Sequence, residues 1–197
     1  LFSDMPGNVI RRWDSQNGVQ IFRQPSEMAN GLTYDRQGRL LACHHASSSV
    51  SRTELDGSVS EIATHYDGMQ LNSPNDIVVK SDGSIYFSDP SFGRMEFYGV
   101  PRDAELAFRG VYRLGTDGQL TLLDRDFDQP NGLCFSLDEK QLYINDTARG
   151  DIYIYDVAAD GTLANRRLFA RPTGNADGVP DGMKVDSEGN LFSCGPG

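Results

Sequence analysis

The chain has 197 residues, of which 38% are hydrophobic and 23% charged, a balance that suits a globular protein with a packed core. Its formal net charge of −10 argues against nucleic acid or an anionic membrane as a partner, and no apolar run approaches the roughly 18 residues of a membrane span. The acidic balance is compatible with cation binding.

One pattern recurs four times along the chain. An Asn or Asp stands just before a short apolar run, which leads through a polar turn to a second apolar run. The copies are Ala29-Asn30-Gly31-Leu32, Pro74-Asn75-Asp76-Ile77, Pro130-Asn131-Gly132-Leu133 and Pro180-Asp181-Gly182-Met183. Successive Asn or Asp positions are 45, 56 and 50 residues apart. A strand-built repeat of this size is typical of a propeller blade.

Each repeat predicts four β-strands in succession. The innermost strand follows the Asn or Asp directly, at residues 32–34, 77–79, 133–135 and 183–185. The second follows the polar turn, at residues 40–43, 85–88, 142–145 and 191–193. The third shows the period-two pattern of a packed strand, at residues 9–13, 50–54, 111–114 and 152–155. Asp-Gly pairs at 56–57, 117–118 and 160–161 fit hairpin turns. A fourth strand closes the unit, at residues 20–22, 60–62, 120–123 and 167–169.

The repeats predict an all-β chain with about four blades' worth of four-stranded antiparallel sheets. These are the end of one blade, three whole blades that begin at Asn30, Asn75 and Asn131, and the start of another at Asp181. We expect residues 1–197 to form a single, partial β-propeller domain. Strand-like segments at both ends suggest that the N- and C-terminal blades are incomplete and that the chain is part of a longer protein.

Residues 90–109 are predicted to be an insertion between the second and third strands of the blade that begins at Asn75. Gly99 and Pro101 interrupt what helical character the segment has. With its aromatic side chains and Arg94, the insertion could cover an opening as a lid. Alternatively, it is a surface loop that packs its own aromatic residues.

Asn30, Asn75, Asn131 and Asp181 hold equivalent positions at the beginning of the innermost strand, which lines the central channel of a propeller. We therefore expect their side-chain oxygens to converge near one mouth of the channel. Amide and carboxylate oxygens, without His or Cys, suit a hard cation such as Ca²⁺ better than Zn²⁺.

The alternative is that these Asn-Gly and Asp-Gly pairs only begin turns. Other Asp-Gly pairs already serve as the turns of each blade, and Asn75 is followed by Asp76 rather than by Gly. We therefore predict Asn75, Asn131 and Asp181 as metal ligands and leave open whether Asn30 is one.

Other reactive side chains give weaker indications. His44 and His45 follow the second strand of their blade, and one of them could contact substrate or shuttle protons at the channel mouth, unless both are structural. No Gly-x-Ser-x-Gly motif occurs, which argues against an acyl-enzyme route. The three cysteines, at positions 43, 134 and 194, form no Cys-x-x-Cys pair; we expect buried thiols, which favours a reducing compartment such as the cytoplasm.

Residues 72–90, 129–136 and 179–183 together carry a family resemblance. They include Ser-Pro-Asn-Asp-Ile-Val-Val, Gln-Pro-Asn-Gly-Leu-Cys-Phe-Ser and Val-Pro-Asp-Gly-Met. The chain resembles the senescence marker protein/gluconolactonase/luciferin-regenerating enzyme family, in its bacterial gluconolactonase branch. This resemblance implies a six-bladed propeller with a divalent ion, usually Ca²⁺, held in the channel by a Glu, two Asn and an Asp.

Matched motif to motif, Asn75 and Asn131 take the two Asn roles and Asp181 takes the Asp role. The family's Glu corresponds to a segment upstream of Leu1. Ser73 stands where the animal members carry an Arg that touches substrate, so their sugar-acid lactone specificity does not carry over. By the same resemblance, His45 is the better candidate of the two neighbouring histidines for a functional role.

The resemblance implies a metal-dependent lactone hydrolase in which water attacks a lactone carbonyl polarised by Ca²⁺, or by Mg²⁺, Mn²⁺ or Zn²⁺. Asp181 would be the catalytic base, and Asn30, Asn75 and His45 would bind the substrate. The expected partner is a small-molecule lactone, with no nucleic acid and no membrane, and the oligomeric state is left open. Two alternatives are another metal-dependent hydrolase on this fold, such as a phosphotriesterase, and a non-catalytic propeller scaffold.

Overall fold

The computed structural model describes residues 1–196, in which the regular structure is almost entirely β-strand. The strands in chain order are β1 (Phe2–Asp4), β2 (Val9–Asp14), β3 (Gly18–Arg23), β4 (Ala29–Tyr34), β5 (Leu40–His44), β6 (Ser49–Thr53), β7 (Val59–Ala63), β8 (His65–Tyr66), β9 (Met69–Gln70), β10 (Ile77–Val79), β11 (Ile85–Asp89), β12 (Arg109–Leu114), β13 (Leu120–Phe127), β14 (Pro130–Phe135), β15 (Gln141–Asp146), β16 (Asp151–Val157), β17 (Leu163–Ala170), β18 (Met183–Val185) and β19 (Leu191–Ser193). A short 3₁₀ turn spans Phe92–Arg94. Among these residues, no helix has the length and apolar character needed to cross a membrane.

Three four-stranded sheets dominate the structure, with the orders β4-β5-β6-β7, β10-β11-β12-β13 and β14-β15-β16-β17. A three-stranded sheet, β1-β2-β3, precedes them, and the pair β18-β19 follows. Strands that are neighbours in the sequence are neighbours in each sheet, so every sheet is a meander. Short turns join the strands, except between β11 and β12, which residues 90–108 connect. The predicted all-β fold of four-stranded β-propeller blades is confirmed.

The hairpin turns lie where Asp-Gly pairs predicted them. Gly57, Gly118 and Gly161 have φ values of 87°, 80° and 82°, a left-handed conformation that costs little only for glycine. The preceding aspartate stabilises such a turn from its side chain: Asp56 Oδ1, for example, accepts a hydrogen bond from the Ser58 N–H at 2.9 Å.

The innermost strands of two sheets share one irregularity. The pairing of β4 with β5 shifts register between Ala29 and Leu32, and the pairing of β14 with β15 shifts between Pro130 and Leu133. Each shift contains an Asn-Gly pair of the repeat. A bulge of this kind changes the direction in which a side chain points, and bulges are frequent beside functional sites.

The chain divides into two compact units. The first comprises Leu1–Ile77 and Ser91–Ala107, so the insertion belongs to it; the second comprises Val78–Pro90 and the residues from 108 onwards. Buried apolar residues of the first unit include Ile10, Ala29, Leu40 and Ala42. The larger core of the second unit comprises Tyr86, Val111, Phe127, Leu133, Leu142, Ile144 and Tyr155. A single domain over residues 1–197 stays a prediction.

Two details differ from the sequence-based expectations. A small hairpin of β8 and β9 was not predicted, although Asp67-Gly68 at its turn, with φ values of 52° and 78°, is a typical hairpin pair. Cys43 and Cys134 are buried as expected, but Cys194 is exposed because it follows β19, whose sheet has two strands. None of these three cysteines forms a disulfide.

Candidate functional site

In the first unit, two of the predicted site residues lie side by side. The N–H of Gly31, the residue after Asn30, donates a hydrogen bond to the backbone oxygen of Asn75 at 2.7 Å. A Cβ atom on Gly31 would lie only 2.5 Å from that oxygen. The glycine after Asn30 is therefore required by the close approach of the next repeat. Asn75 is 4% exposed, whereas Asn30 is half-buried.

His45 connects the two asparagine side chains. Its Nδ1 atom lies 2.7 Å from the backbone oxygen of Tyr98, and because a carbonyl only accepts, Nδ1 carries the proton. Nε2 is then an acceptor, at 3.3 Å from Asn30 Nδ2 and 3.4 Å from Asn75 Nδ2. The amide nitrogens therefore face the imidazole, and the amide oxygens of both asparagines are turned away from it.

The imidazole of His45 is held in its neutral form. Burial lowers its pKa, and the positive charge of Arg102 acts in the same direction, against the hydrogen bond to Tyr98. A neutral ring keeps the acceptor lone pair on Nε2 that the two amides need.

Two arginines bind the insertion, which supplies Tyr98, to the rest of the first unit. Arg94 is buried and donates to the backbone oxygens of Leu71 and Asn72, both at 2.8 Å. Arg102 donates to the backbone oxygen of His45 at 2.8 Å. The insertion thus fixes His45 at two points, through its ring and through its own carbonyl.

Aromatic residues of the insertion also pack on one another, with ring centroids 5.0 Å apart for Phe97 and Tyr98 and 6.3 Å apart for Phe92 and Tyr98. This agrees with the interpretation of residues 90–109 as a loop that packs its own aromatic side chains. A lid function stays a prediction.

The side chain of Ser73 contacts the insertion. It is fully buried, and its Oγ accepts a hydrogen bond from the Gly93 N–H at 2.9 Å. A Cβ atom on Gly93 would lie 2.6 Å from the Cβ atoms of both Ser73 and His45. The serine at this position therefore belongs to the support of His45.

In the second unit, Asn131 is 5% exposed and is held in the same manner as the asparagines of the first. Its Nδ2 donates to Thr147 Oγ1 at 3.0 Å, and that hydroxyl donates to the backbone oxygen of Pro180 at 2.6 Å. Thr147 directly follows β15 just as His45 directly follows β5, so the two residues hold equivalent positions in their blades. Sequence reasoning missed Thr147, which an alignment of the two strand ends would have found.

Asp181 lies beside Asn131 and is exposed. Asn145 Nδ2 donates to the backbone oxygen of Asp181 at 2.5 Å, and a Cβ atom on Gly132 would collide with that same oxygen. Gly132 is therefore required by the approach of Asp181, as Gly31 is by the approach of Asn75. The Oδ1 atom of Asn145 is buried and has no hydrogen-bond partner among the described residues.

Asp146 organises the loop that leads into β14. Its carboxylate is fully buried and accepts from the N–H groups of Asp128 at 2.7 Å and Gln129 at 3.0 Å. Arg149 Nε lies 3.4 Å away and balances the charge. Asp146 thereby positions the residues just before Pro130-Asn131, another role that the sequence did not reveal.

The donor set of the predicted ligands fits a hard divalent cation. Asn131 has its amide nitrogen engaged, which leaves Oδ1 for a ligand, and Asp181 offers an exposed carboxylate. The orphaned amide oxygen of Asn145 adds a donor of the same chemistry. Residues 1–196 contain no cluster of three or more His, Cys, Asp or Glu side chains that could hold a metal ion, so the predicted ligand set depends on amide oxygens beside a single carboxylate.

Together, the meandering four-stranded sheets and the buried asparagines at their innermost strands define a β-propeller whose repeat positions carry oxygen-donor side chains. The chain belongs to the SMP-30/Gluconolactonase/LRE-like family, whose sequence profile matches residues 1–197. The predicted family resemblance is confirmed.

Three relatives illustrate the membership. A gluconolactonase of Zymomonas mobilis is 32% identical over 100% of this chain and 61% of its own length. The solved structure of the Xanthomonas campestris gluconolactonase XC5397 is 38% identical with a TM-score of 0.87, over 97% of this chain and 64% of that one. The diisopropyl-fluorophosphatase of Loligo vulgaris is 25% identical over 82% of this chain and 53% of its own length. The chain thus spans less than two thirds of the length of each of these relatives.

Proposed function

We propose that the protein hydrolyses a lactone in a site that holds a divalent cation, with Ca²⁺ as the first candidate. Relatives named as gluconolactonases, at 32% and 38% identity, support the substrate class. The ligands we propose are Asn75, Asn131 and Asp181. A Glu that the family would supply from upstream of Leu1 completes the set.

One structural observation carries this proposal. At two equivalent repeat positions, a neighbouring side chain engages the amide nitrogen of an asparagine: His45 for Asn75 and Thr147 for Asn131. Since each amide has one donor side and one acceptor side, engagement of the nitrogen leaves the oxygen for another group. Such support of a ligand by its neighbour is typical of metal sites.

When bound by Asn75, Asn131 and Asp181, a cation would polarise the ester carbonyl as a Lewis acid. Asp181, whose side chain is exposed, is the base. It takes a proton from the attacking water while the water oxygen bonds to the carbonyl carbon. The bond from that carbon to the ring oxygen then breaks, and the proton passes to the departing alkoxide. Each turnover consumes one lactone and one water and gives one hydroxy acid.

Asn30, Asn75 and His45 are the proposed substrate-binding residues. Because both ring nitrogens of His45 are engaged, we assign its main role to holding the two amides. Asn30 Oδ1 then remains for a hydroxyl or ring oxygen of the substrate.

The test compares Asp181→Asn with Asp177→Asn, an exposed carboxylate in the same loop with no role in the proposal. With D-gluconolactone as substrate, Asp181→Asn is expected to lower kcat/KM by about 100-fold or more, the usual contribution of a general base. Asp177→Asn is expected to leave it unchanged. Equal rates for the two variants contradict the assignment of Asp181.

A phosphotriesterase-type activity is the second candidate, and the resemblance to the Loligo vulgaris diisopropyl-fluorophosphatase favours it. The same oxygen donors suit both reactions. Parallel assays with D-gluconolactone and diisopropyl fluorophosphate decide between them, because the preferred substrate is the one with the larger kcat/KM. Absence of turnover on both, together with no cation binding, indicates the scaffold alternative.

A further inference from the structure

A cavity lies in the first unit, on residues that the proposed lactonase site does not use. It has a volume of about 320 Å³, at the small end of ligand pockets. Its lining includes Arg23, Glu27, His44, Ser47, Ser49 and Ser51. The cavity therefore combines hydroxyl groups, an imidazole and charges of both signs.

Inside this cavity, His44 and Ser51 form a hydrogen-bonded pair. His44 Nδ1 lies 2.9 Å from the backbone oxygen of Ser26 and must donate to it, because a carbonyl has no proton to give. His44 Nε2 is therefore unprotonated, and Ser51 Oγ lies 2.6 Å from it as donor. A serine hydroxyl that donates to an imidazole oriented by a third group is the arrangement of an activated nucleophile.

The strands hold this pair in place. Ser51 is the middle residue of β6, and His44 is the last residue of β5, diagonally across the register in which Ser51 pairs with Ala42. Along β6, Ser49 and Thr53 lie on the same face as Ser51. Arg23, which also lines the cavity, donates to Thr53 Oγ1 at 2.8 Å.

The environment keeps His44 available as a base. Burial lowers its pKa, and the charge of Arg23 adds to this, while the Ser26 carbonyl, Glu27 and Glu61 oppose it. His44 is 5% exposed and Ser51 is 2% exposed, so the pair lies in the buried wall of the cavity.

We propose that Ser51 and His44 form a nucleophile–base pair that reacts with small carboxylic esters, a second hydrolytic site that needs neither Asp181 nor a metal. Ser51 lies outside any Gly-x-Ser-x-Gly motif, so no sequence motif indicates this pair, which rests on the geometry of its hydrogen bonds. Ser51 Oγ bonds to the ester carbonyl carbon while its proton passes to His44 Nε2. The bond from that carbon to the alkoxy oxygen breaks, and the alcohol leaves with the proton from His44. Water then attacks the acyl carbon and gives a proton to His44 Nε2. The bond from that carbon to Ser51 Oγ breaks, His44 returns the proton to Ser51 Oγ, and the acid is released.

The test is covalent labelling with an alkyl fluorophosphonate in the presence of EDTA. In this reaction Ser51 Oγ bonds to phosphorus, fluoride leaves, and His44 takes the proton. Peptide mass spectrometry of the folded wild-type protein is expected to place the adduct on Ser51. His44→Gln, which removes the base, is expected to slow labelling by about 100-fold. Ser187→Ala, at an exposed serine outside the cavity, is expected to label like the wild type.

Two outcomes overturn the proposal: no adduct on Ser51 in the folded wild-type protein, or labelling that His44→Gln leaves unchanged. The wild-type measurement does not depend on any variant being folded. Hydrolysis of p-nitrophenyl acetate in EDTA, lost in Ser51→Ala and kept in Ser187→Ala, is the expected turnover result. Because neither readout uses lactone or metal, failure of the proposed lactonase activity leaves this test intact.

Discussion

His45 Nε2 accepts a hydrogen bond from Asn75 Nδ2 at 3.4 Å, and this contact fixes which way the asparagine amide faces. The proton on the other ring nitrogen goes to the carbonyl of Tyr98, in the insertion, so the insertion sets the tautomer of His45. Asn75, at the start of its blade, is therefore oriented by His45 of the preceding blade, and His45 is in turn held by Tyr98 of the insertion.

His45→Phe removes the acceptor for both amides while keeping a buried ring. We expect cation affinity and kcat/KM on the lactone to fall by about 10- to 100-fold, the usual effect of losing a residue that supports a ligand. Calorimetric titration with Ca²⁺ and lactone kinetics measure both. His65→Phe, at an exposed position, is the control. Unchanged affinity in folded His45→Phe contradicts the orienting role.

Thr147 orients the amide of Asn131 as His45 orients that of Asn75. Two substitutions distinguish the effect of its hydroxyl group from the effect of its volume. Thr147→Val keeps the volume but leaves the Pro180 carbonyl without its donor, and we expect a loss of about 1–3 kcal/mol in unfolding free energy together with weaker cation binding. Thr147→Ser keeps both hydrogen bonds and is expected to retain cation affinity. Urea unfolding and calorimetry give the two quantities. If Val and Ser variants bind alike, the hydroxyl does not orient Asn131.

Gly93→Ala tests the contact between the insertion and its support. The added methyl group would lie 2.6 Å from the Cβ atoms of His45 and Ser73, so we expect a destabilisation of about 1–3 kcal/mol. Gly195→Ala, whose Cβ would meet only Pro172 at 3.8 Å, is expected to be close to neutral. Thermal and urea unfolding report the difference, and equal stabilities of the two variants would rule out the tight contact.

Stability is expected to fall below about pH 6.5 because His44 is buried in its neutral form. Its pKa is lowered in the folded state, so below the ordinary value of 6.5 the unfolded chain binds a proton that the folded chain does not. The unfolding free energy therefore decreases as the pH falls, by up to about 1.4 kcal/mol per pH unit for this one group. Urea unfolding at pH 7.5 and 5.5 measures it. His44→Gln should show a shallower pH dependence, and an identical slope would contradict the assignment.

The blades were predictable because their determinants are local. In Asp56-Gly57 and the other Asp-Gly turns, the glycine has a positive φ, which glycine adopts readily. The strand pattern of segments such as Ile152–Tyr155 can likewise be recognised from the sequence alone. The repeat also predicted which positions carry oxygen donors. Asn30 and Asn131 do lie at matching bulges of β4 and β14, as equivalent positions should.

The supporting contacts were not predictable, for a physical reason. Arg94 is buried on backbone carbonyls, which every residue has, so no partner residue type marks the contact in the sequence. Thr147 and Asp146 act through the register of β15 with its neighbours, which only the folded sheet defines. That Asn145 Oδ1 has no hydrogen-bond partner among the described residues likewise follows from its burial in the fold, which no sequence pattern indicates.

The most direct test of the central claim is the rate of D-gluconolactone hydrolysis by the protein after chelation and after return of Ca²⁺, with Asn131→Leu as the matched variant. We predict that chelation abolishes the enzyme-catalysed rate, that Ca²⁺ restores it in the wild type, and that Asn131→Leu stays inactive when Ca²⁺ is returned. A catalysed rate that survives chelation, or a fully active Asn131→Leu, would contradict a metal-dependent lactonase built on these asparagines.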